Sequence, residues 1–204
     1  METVAPSHSA PLPRGDRDEN PRGIGLLALL AEDYRTHDRK LEPGFLAVAV
    51  HRFGNARMGV RFKLLRAPLT VLYRLMYSAV ILLWGIDLPY NTKLGRRVRI
   101  WHHGGIWVGA RAIGDDVHIR HNSTFGLLSR ADVNAMPIIG NRVDFGVGVC
   151  ILGAVTVGDD CVIGANSVVI RDLPPGSVVM GVPAREVAPR KDAGTSPAGP
   201  GSKA

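Results

Sequence analysis

A six-residue rhythm governs the chain beyond Asp87 and restricts its fold more than any other feature. Leu94, Ile100 and Ile106 are six apart, as are Ile113, Ile119 and Phe125; Ile139, Phe145, Ile151, Val157, Ile163 and Val169 then continue at six without a break. Four residues after these anchors stand smaller ones: Val98, Gly104, Ala110, Val117, Ser123, Val143, Val149, Val155, Cys161 and Ser167. Glycine often follows the anchor directly, as in Leu94-Gly95, Ile139-Gly140 and Ile163-Gly164. A period of this kind builds a parallel β-helix. Each hexapeptide is a strand and a corner, and three make a triangular coil of about eighteen residues whose large and small inward side chains fill a narrow core. Twelve anchors amount to about four coils.

Two interruptions break the rhythm. Between Ile106 and Ile113 the phase slips by one residue, which a bulged corner absorbs. Between Phe125 and Ile139 the spacing is 14, so about eight extra residues protrude as a loop over 127–137, around Leu128-Ser129-Arg130-Ala131-Asp132-Val133. Loops on a rigid repeat scaffold commonly carry function.

The rest of the chain divides around this domain at 87–183. Residues 1–22 are Pro-rich and polar, and 184–204 are mostly Gly, Pro, Ser and charged; both read as largely disordered tails. Residues 23–86 read as α-helical, with Pro43 and Pro68 suited to first turns and Gly85 to a stop. The expected fold is therefore mainly β, a parallel β-helix preceded by a small α-helical region.

Composition excludes several classes. With 24 Gly and 14 Pro in 204 residues, the chain is a poor helical bundle, while 46% hydrophobic content is too high for disorder. Two cysteines supply neither a disulfide framework nor a four-cysteine zinc site. A net charge of +7 favours an anionic partner of some kind. The positive charges are dispersed, without an aromatic-basic platform, so no nucleic acid is expected. The run Leu75 to Ile86 is shorter than the roughly 20 residues of a bilayer span. No secretory leader is apparent, and a cytoplasmic location is the expectation. The segment from Arg61 to Trp84 mixes Arg61, Lys63, Arg66 and Arg74 with large apolar residues. Packing within the protein is its first reading and peripheral contact with the inner membrane face the second.

Register sorts the histidines. His102 follows Ile100 by two and His121 follows Ile119 by two, so both face outward and stack on successive coils; Val147 and Ala165 continue the column. Two imidazoles beside a protruding loop make an acid–base site. His103 and His118 read as ordinary surface histidines. Cys150 faces out and Cys161 occupies a small core position.

These residues resemble those of a known family. From about Ala31 to Val187 the chain is similar to the serine acetyltransferases, within the hexapeptide-repeat acyltransferases of left-handed β-helix fold. The matching stretches are Gly44-Phe45-Leu46-Ala47 leading to His51-Arg52, Asp87 ahead of Lys93-Leu94-Gly95, and His102 with Gly105-Ile106-Trp107-Val108-Gly109. Thr124-Phe125-Gly126 enters the loop, and Gly164-Ala165-Asn166-Ser167-Val168-Val169 precedes the closing Leu173-Pro174-Pro175-Gly176 and Gly181-Val182-Pro183-Ala184-Arg185. The resemblance implies a homotrimer or a dimer of trimers, with acetyl-CoA as co-substrate in grooves between neighbouring β-helices and no metal. It implies His102 as general base, assisted by Asp87, and a backbone N–H near Gly126 for the oxyanion. Gly146, Val147, Gly148 and Ala165 would line the pantetheine groove. Arg171 and Arg185 are candidates for the nucleotide phosphates, with solvated surface charge as the alternative.

The chain departs from that family around the acceptor. Trp101 stands where an acidic residue precedes the catalytic His, Ala110 replaces a Glu, and the loop's Arg-His-Pro reads Ala135-Met136-Pro137. Leaving the two charges of serine unmatched in a desolvated site costs several kcal/mol. The reading is thus an O-acetyltransferase acting on a sugar or polysaccharide hydroxyl, with His121 replacing part of the missing machinery. Serine O-acetylation proper and a non-catalytic β-helix assembly partner are the alternatives. A histidine-bound metal at His102, His118 and His121 is a further rival, without a matching motif.

Overall fold

The computed structural model describes residue 8 and residues 15–129 and 134–189. Helix α1 (Leu26–Thr36) and helix α2 (Pro43–Ala56, with Pro at N1) lead through a short 3-10 turn to α3 (Lys63–Trp84). Gly85 ends α3 at φ 62°, the left-handed cap that glycine adopts without strain. Pro68, expected to open this helix, instead lies inside its first turns.

Strands then follow in threes. The first coil has β1 (Ile86–Asp87), β2 (Lys93–Leu94) and β3 (Arg99–Trp101); the second has β4 (Ile106–Val108), β5 (Ala112–Ile113) and β6 (His118–Arg120). The third has β7 (Thr124–Gly126), β8 (Ile138–Ile139) and β9 (Asp144–Phe145). The fourth has β10 (Cys150–Leu152), β11 (Thr156–Val157) and β12 (Val162–Ile163). The last holds β13 (Val168–Val169) and β14 (Ser177–Met180), and β15 (Arg185–Pro189) ends the described chain. Parallel pairing sorts them into three faces: β1-β4-β7-β10-β13, β2-β5-β8-β11 and β3-β6-β9-β12-β14. The result is a left-handed β-helix of about five turns.

Five turns exceed the four that the anchors alone counted, because the repeat continues beyond them. Leu88 is buried at the start, and at the far end Leu173 bridges to Val157 while Val179 pairs with Ile163. The tail also differs from expectation: Arg185–Pro189 pairs antiparallel on β14, closing the edge of its sheet rather than hanging free.

Register moves one anchor. Val108, not Ile106, lies opposite Phe125, while Ile106 pairs with Ile86 and sits in the small-residue column. The irregularity expected near Ala110 therefore falls earlier, as two extra residues between Ile100 and Val108. It is His103 and Gly104 that bulge, and Gly104 leaves the core position assigned to it. Both Ile106 and Val108 remain buried, so the core stays filled while one corner protrudes.

The helices close the open lower end of the solenoid. Gly44 of α2 approaches the backbone of Ile100 so closely that a Cβ there would lie 2.2 Å from its carbonyl oxygen. Buried Arg52 donates from Nε to Asp33 at 2.9 Å and from Nη1 and Nη2 to the carbonyls of Leu94 and Gly95. His37 donates from Nδ1 to the Asp33 carbonyl at 2.8 Å and accepts the Ile100 N–H at Nε2, which requires a neutral ring. His51 donates to the Thr92 carbonyl at 2.9 Å. First-coil backbone groups that would otherwise form a bare sheet edge are thus satisfied by side chains.

Candidate active site

The protruding corner is the centre of the site. β3 ends at Trp101, and His102 turns the chain with φ 62°. Trp101 pairs with Arg120, so His102 and His121 fall on successive coils. Their rings meet edge to face, with centroids 5.6 Å apart and planes at 81°. His102 is exposed, while His121 is half-buried and its Nδ1, shielded from solvent, has no hydrogen-bond partner among the described residues.

A backbone ladder carries the column upward. Asn122 donates to the Gly104 carbonyl at 2.9 Å, Gly148 to His121 at 3.1 Å and Asn166 to Val147 at 2.7 Å. Gly146 lies against Ala165, where a Cβ would stand 2.4 Å from the Ala165 nitrogen. Val147 and Ala165 thus rise in one file above the two histidines, with Gly146 and Gly148 on either side of it.

Asp87 borders the same corner from below. Gly85 lies under the bulge, where a Cβ would come within 3.3 Å of both the Gly105 nitrogen and the Gly104 Cα, and its carbonyl accepts the Ile106 N–H. Two residues on, Asp87 accepts a hydrogen bond at Oδ1 from the Tyr77 hydroxyl of α3. Burial first, and then the neighbouring Asp87 carboxylate, push the Tyr77 hydroxyl far above its ordinary range, so it remains a donor. No hydrogen bond joins Asp87 to His102 among the described residues. Tyr77 was not a candidate from the sequence: at helical spacing it resembles any core aromatic.

Trp107 pairs with Asp87 below and Thr124 above and is 58% exposed. Trp101 is occupied instead: the Arg99 guanidinium stacks 3.6 Å from its ring centroid and His118 meets it edge to face. Burial pushes the His118 imidazole below its usual range.

The other predicted residues lie elsewhere. Gly126 ends β7, at the next corner of the triangle, about 16 Å along the chain from His121 at strand rise. Arg171, just after β13, lies over that second corner. Arg185 starts β15 at the upper end and is exposed. One chain therefore does not bring Gly126, Arg171 or Arg185 to His102. The loop's ends are anchored near the second corner: Arg111, buried, donates to the Asn134 carbonyl at 3.0 Å and its N–H to Pro137 at 2.8 Å. Residues 130–133 lie outside the described residues. Ala110 is buried, and Ala135 and Met136 are half-buried. No group of three metal-ligating side chains occurs among the described residues.

Known proteins resemble this chain over most of its length. A serine acetyltransferase of Helicobacter pylori is 38% identical over 148 residues, 72% of this chain and 82% of its own. An Escherichia coli acetyltransferase, WcaB, whose name assigns it to colanic acid biosynthesis, is 35% identical over 161 residues, 76% of this chain and 97% of its own. The soybean serine acetyltransferase solved in complex with serine superposes with a TM-score of 0.67 at 29% identity, covering 79% of this chain and 69% of its own. No protein-family model matches.

Proposed function

The chain belongs to the serine acetyltransferase-like hexapeptide-repeat acyltransferases, enzymes that move an acetyl group to a hydroxyl, and from that premise we propose that its donor is acetyl-CoA, its acceptor a saccharide hydroxyl and its base His102. The acceptor oxygen attacks the thioester carbonyl as the His102 imidazole takes its proton. The C–S bond then breaks, and the leaving thiolate recovers that proton from the imidazolium. Asp87, oriented by Tyr77, assists from below the same corner. His121, packed against the ring of His102, limits the directions that ring can adopt. Pantetheine follows the file of Val147 and Ala165, between Gly146 and Gly148.

The observation that carries the acceptor is the exposed indole of Trp107 above Asp87. A flat aromatic face suits a sugar ring and offers no partner to the carboxylate of serine. Trp101, Ala110, Ala135 and Met136 likewise offer no ionic partner for serine.

Gly126 and Arg171 reach the reaction only from another copy, whose second corner meets the His102 corner of the first. A homotrimer, or a dimer of trimers, supplies that arrangement. A cytoplasmic location goes with a CoA thioester donor and is part of the same proposal. A thiol-release assay with acetyl-CoA tests the acceptor against serine, homoserine and a panel of sugars. Sugar-dependent release supports the reading; serine as the preferred acceptor overturns the saccharide assignment.

A further inference from the structure

Helix α3 is apolar on two opposite sides. Tyr73 and Val80 are buried, with Met76, Tyr77 and Trp84 packed beside them on the core. The opposite side carries Leu64, Leu65, Val71, Leu72, Leu75 and Leu82, all exposed, Leu64 at 90% and Leu82 at 82%. At about 100° per residue these six fall within one third of the helix circumference, where an ordinary surface helix places charged groups. Single exposed leucines need no explanation, but a stripe running the length of a 22-residue helix does.

The charge around the stripe has one sign. No Asp or Glu occurs between Glu42 and Asp87, while Arg61, Lys63, Arg66 and Arg74 surround the N-terminal half of the helix. None of the four meets a carboxylate among the described residues. Pairing α3 with a second copy of itself would bring these cations no carboxylate, since the helix carries none. A layer of phosphate groups over an acyl interior supplies both the anions and the apolar medium. The helix is long and apolar enough to cross a bilayer, but its other side is held by α2, β1 and the Tyr77–Asp87 hydrogen bond. One face alone is available to lipid.

We propose that α3 docks flat on an anionic lipid surface through the Leu64–Leu82 stripe, its cations engaging lipid phosphates. The helix ends at Gly85, directly beneath the His103–Gly104 bulge, so docking holds the His102 corner close to the bilayer. The proposal stands apart from the acyl-transfer reading, since vesicle binding needs neither donor nor acceptor.

Flotation of the full chain tests it, using phosphatidylcholine vesicles with and without about 30% phosphatidylglycerol at about 0.1 M salt. The protein should float with the anionic vesicles at least about tenfold more than with neutral ones, and less as salt rises. The double variant Leu75→Glu/Leu82→Glu should stay in the dense fraction with unchanged melting temperature and assembled mass. Lys63→Glu/Arg74→Glu, which keeps the stripe, should lose the preference for anionic vesicles and covers the case in which the leucine variant does not fold. No flotation of the parent chain overturns the proposal. So does a fall in assembled mass in the leucine variant, which would show that a second copy covers the stripe.

Discussion

Tyr77, on the last long helix, donates its hydroxyl hydrogen to Asp87, on the first strand of the solenoid. That contact spans the boundary between the helical region and the β-helix beside the corner that carries His102. It gives the helix a part in orienting the site.

Tyr77→Phe removes the donor and leaves the Asp87 carboxylate free to turn toward water. Hydrogen bonds to charged groups contribute about 1.5–3 kcal/mol when buried, and partial exposure reduces this to about 1 kcal/mol. The melting temperature should fall by about 2–4 °C. If Tyr77 acts through Asp87, kcat should fall roughly tenfold while KM for acetyl-CoA stays nearly constant. A purely structural role would lower the melting temperature and leave kcat untouched.

His102→Asn removes the base while retaining a residue tolerant of the left-handed backbone at this corner. Turnover should drop by about 10²–10⁴. Binding of acetyl-CoA, measured by calorimetry, should be preserved. Rates equal to the parent's would remove His102 from the chemistry.

Acid should weaken the helical cap. Burial, followed by the neighbouring Arg52, holds the His51 imidazole down at about 3, and burial also lowers His37. An unfolded chain therefore binds protons that the folded one refuses. The stability both groups contribute is fully present above about pH 6.5 and is lost as pH falls below it, for His51 down to about 3. Thermal unfolding followed between pH 7 and 4 should show this slope, and His51→Gln should flatten it.

Asp33→Ala leaves the Arg52 guanidinium buried without its counter-charge. Removing one partner of such a pair costs about 3–5 kcal/mol. Urea unfolding should register most of that loss. A double replacement, Asp33→Leu with Arg52→Met, should recover much of it, because no uncompensated charge then remains.

The coils were legible because their cause is local and repeated. An apolar residue every sixth position has one economical way to leave water, and it predicts which side chains point inward. The same register placed His102 over His121 and both under Val147 and Ala165. It misplaced the bulge, because Ile106 and Val108 are equally apolar and only pairing with Phe125 chooses between them. It underestimated the coils because Leu88, six before Leu94, stands ahead of the first counted anchor, and because Leu173 and Val179 follow Val169 only after a step of four that breaks the period.

What the sequence determined by itself is the solenoid and its column of imidazoles, since side-chain direction along a repeat depends only on position within the period. Tertiary structure alone decided that Tyr77 orients Asp87 and that a stripe of leucines on α3 remains uncovered. Those outcomes depend on how segments distant in sequence meet, and contact between distant segments leaves no periodic trace in the chain.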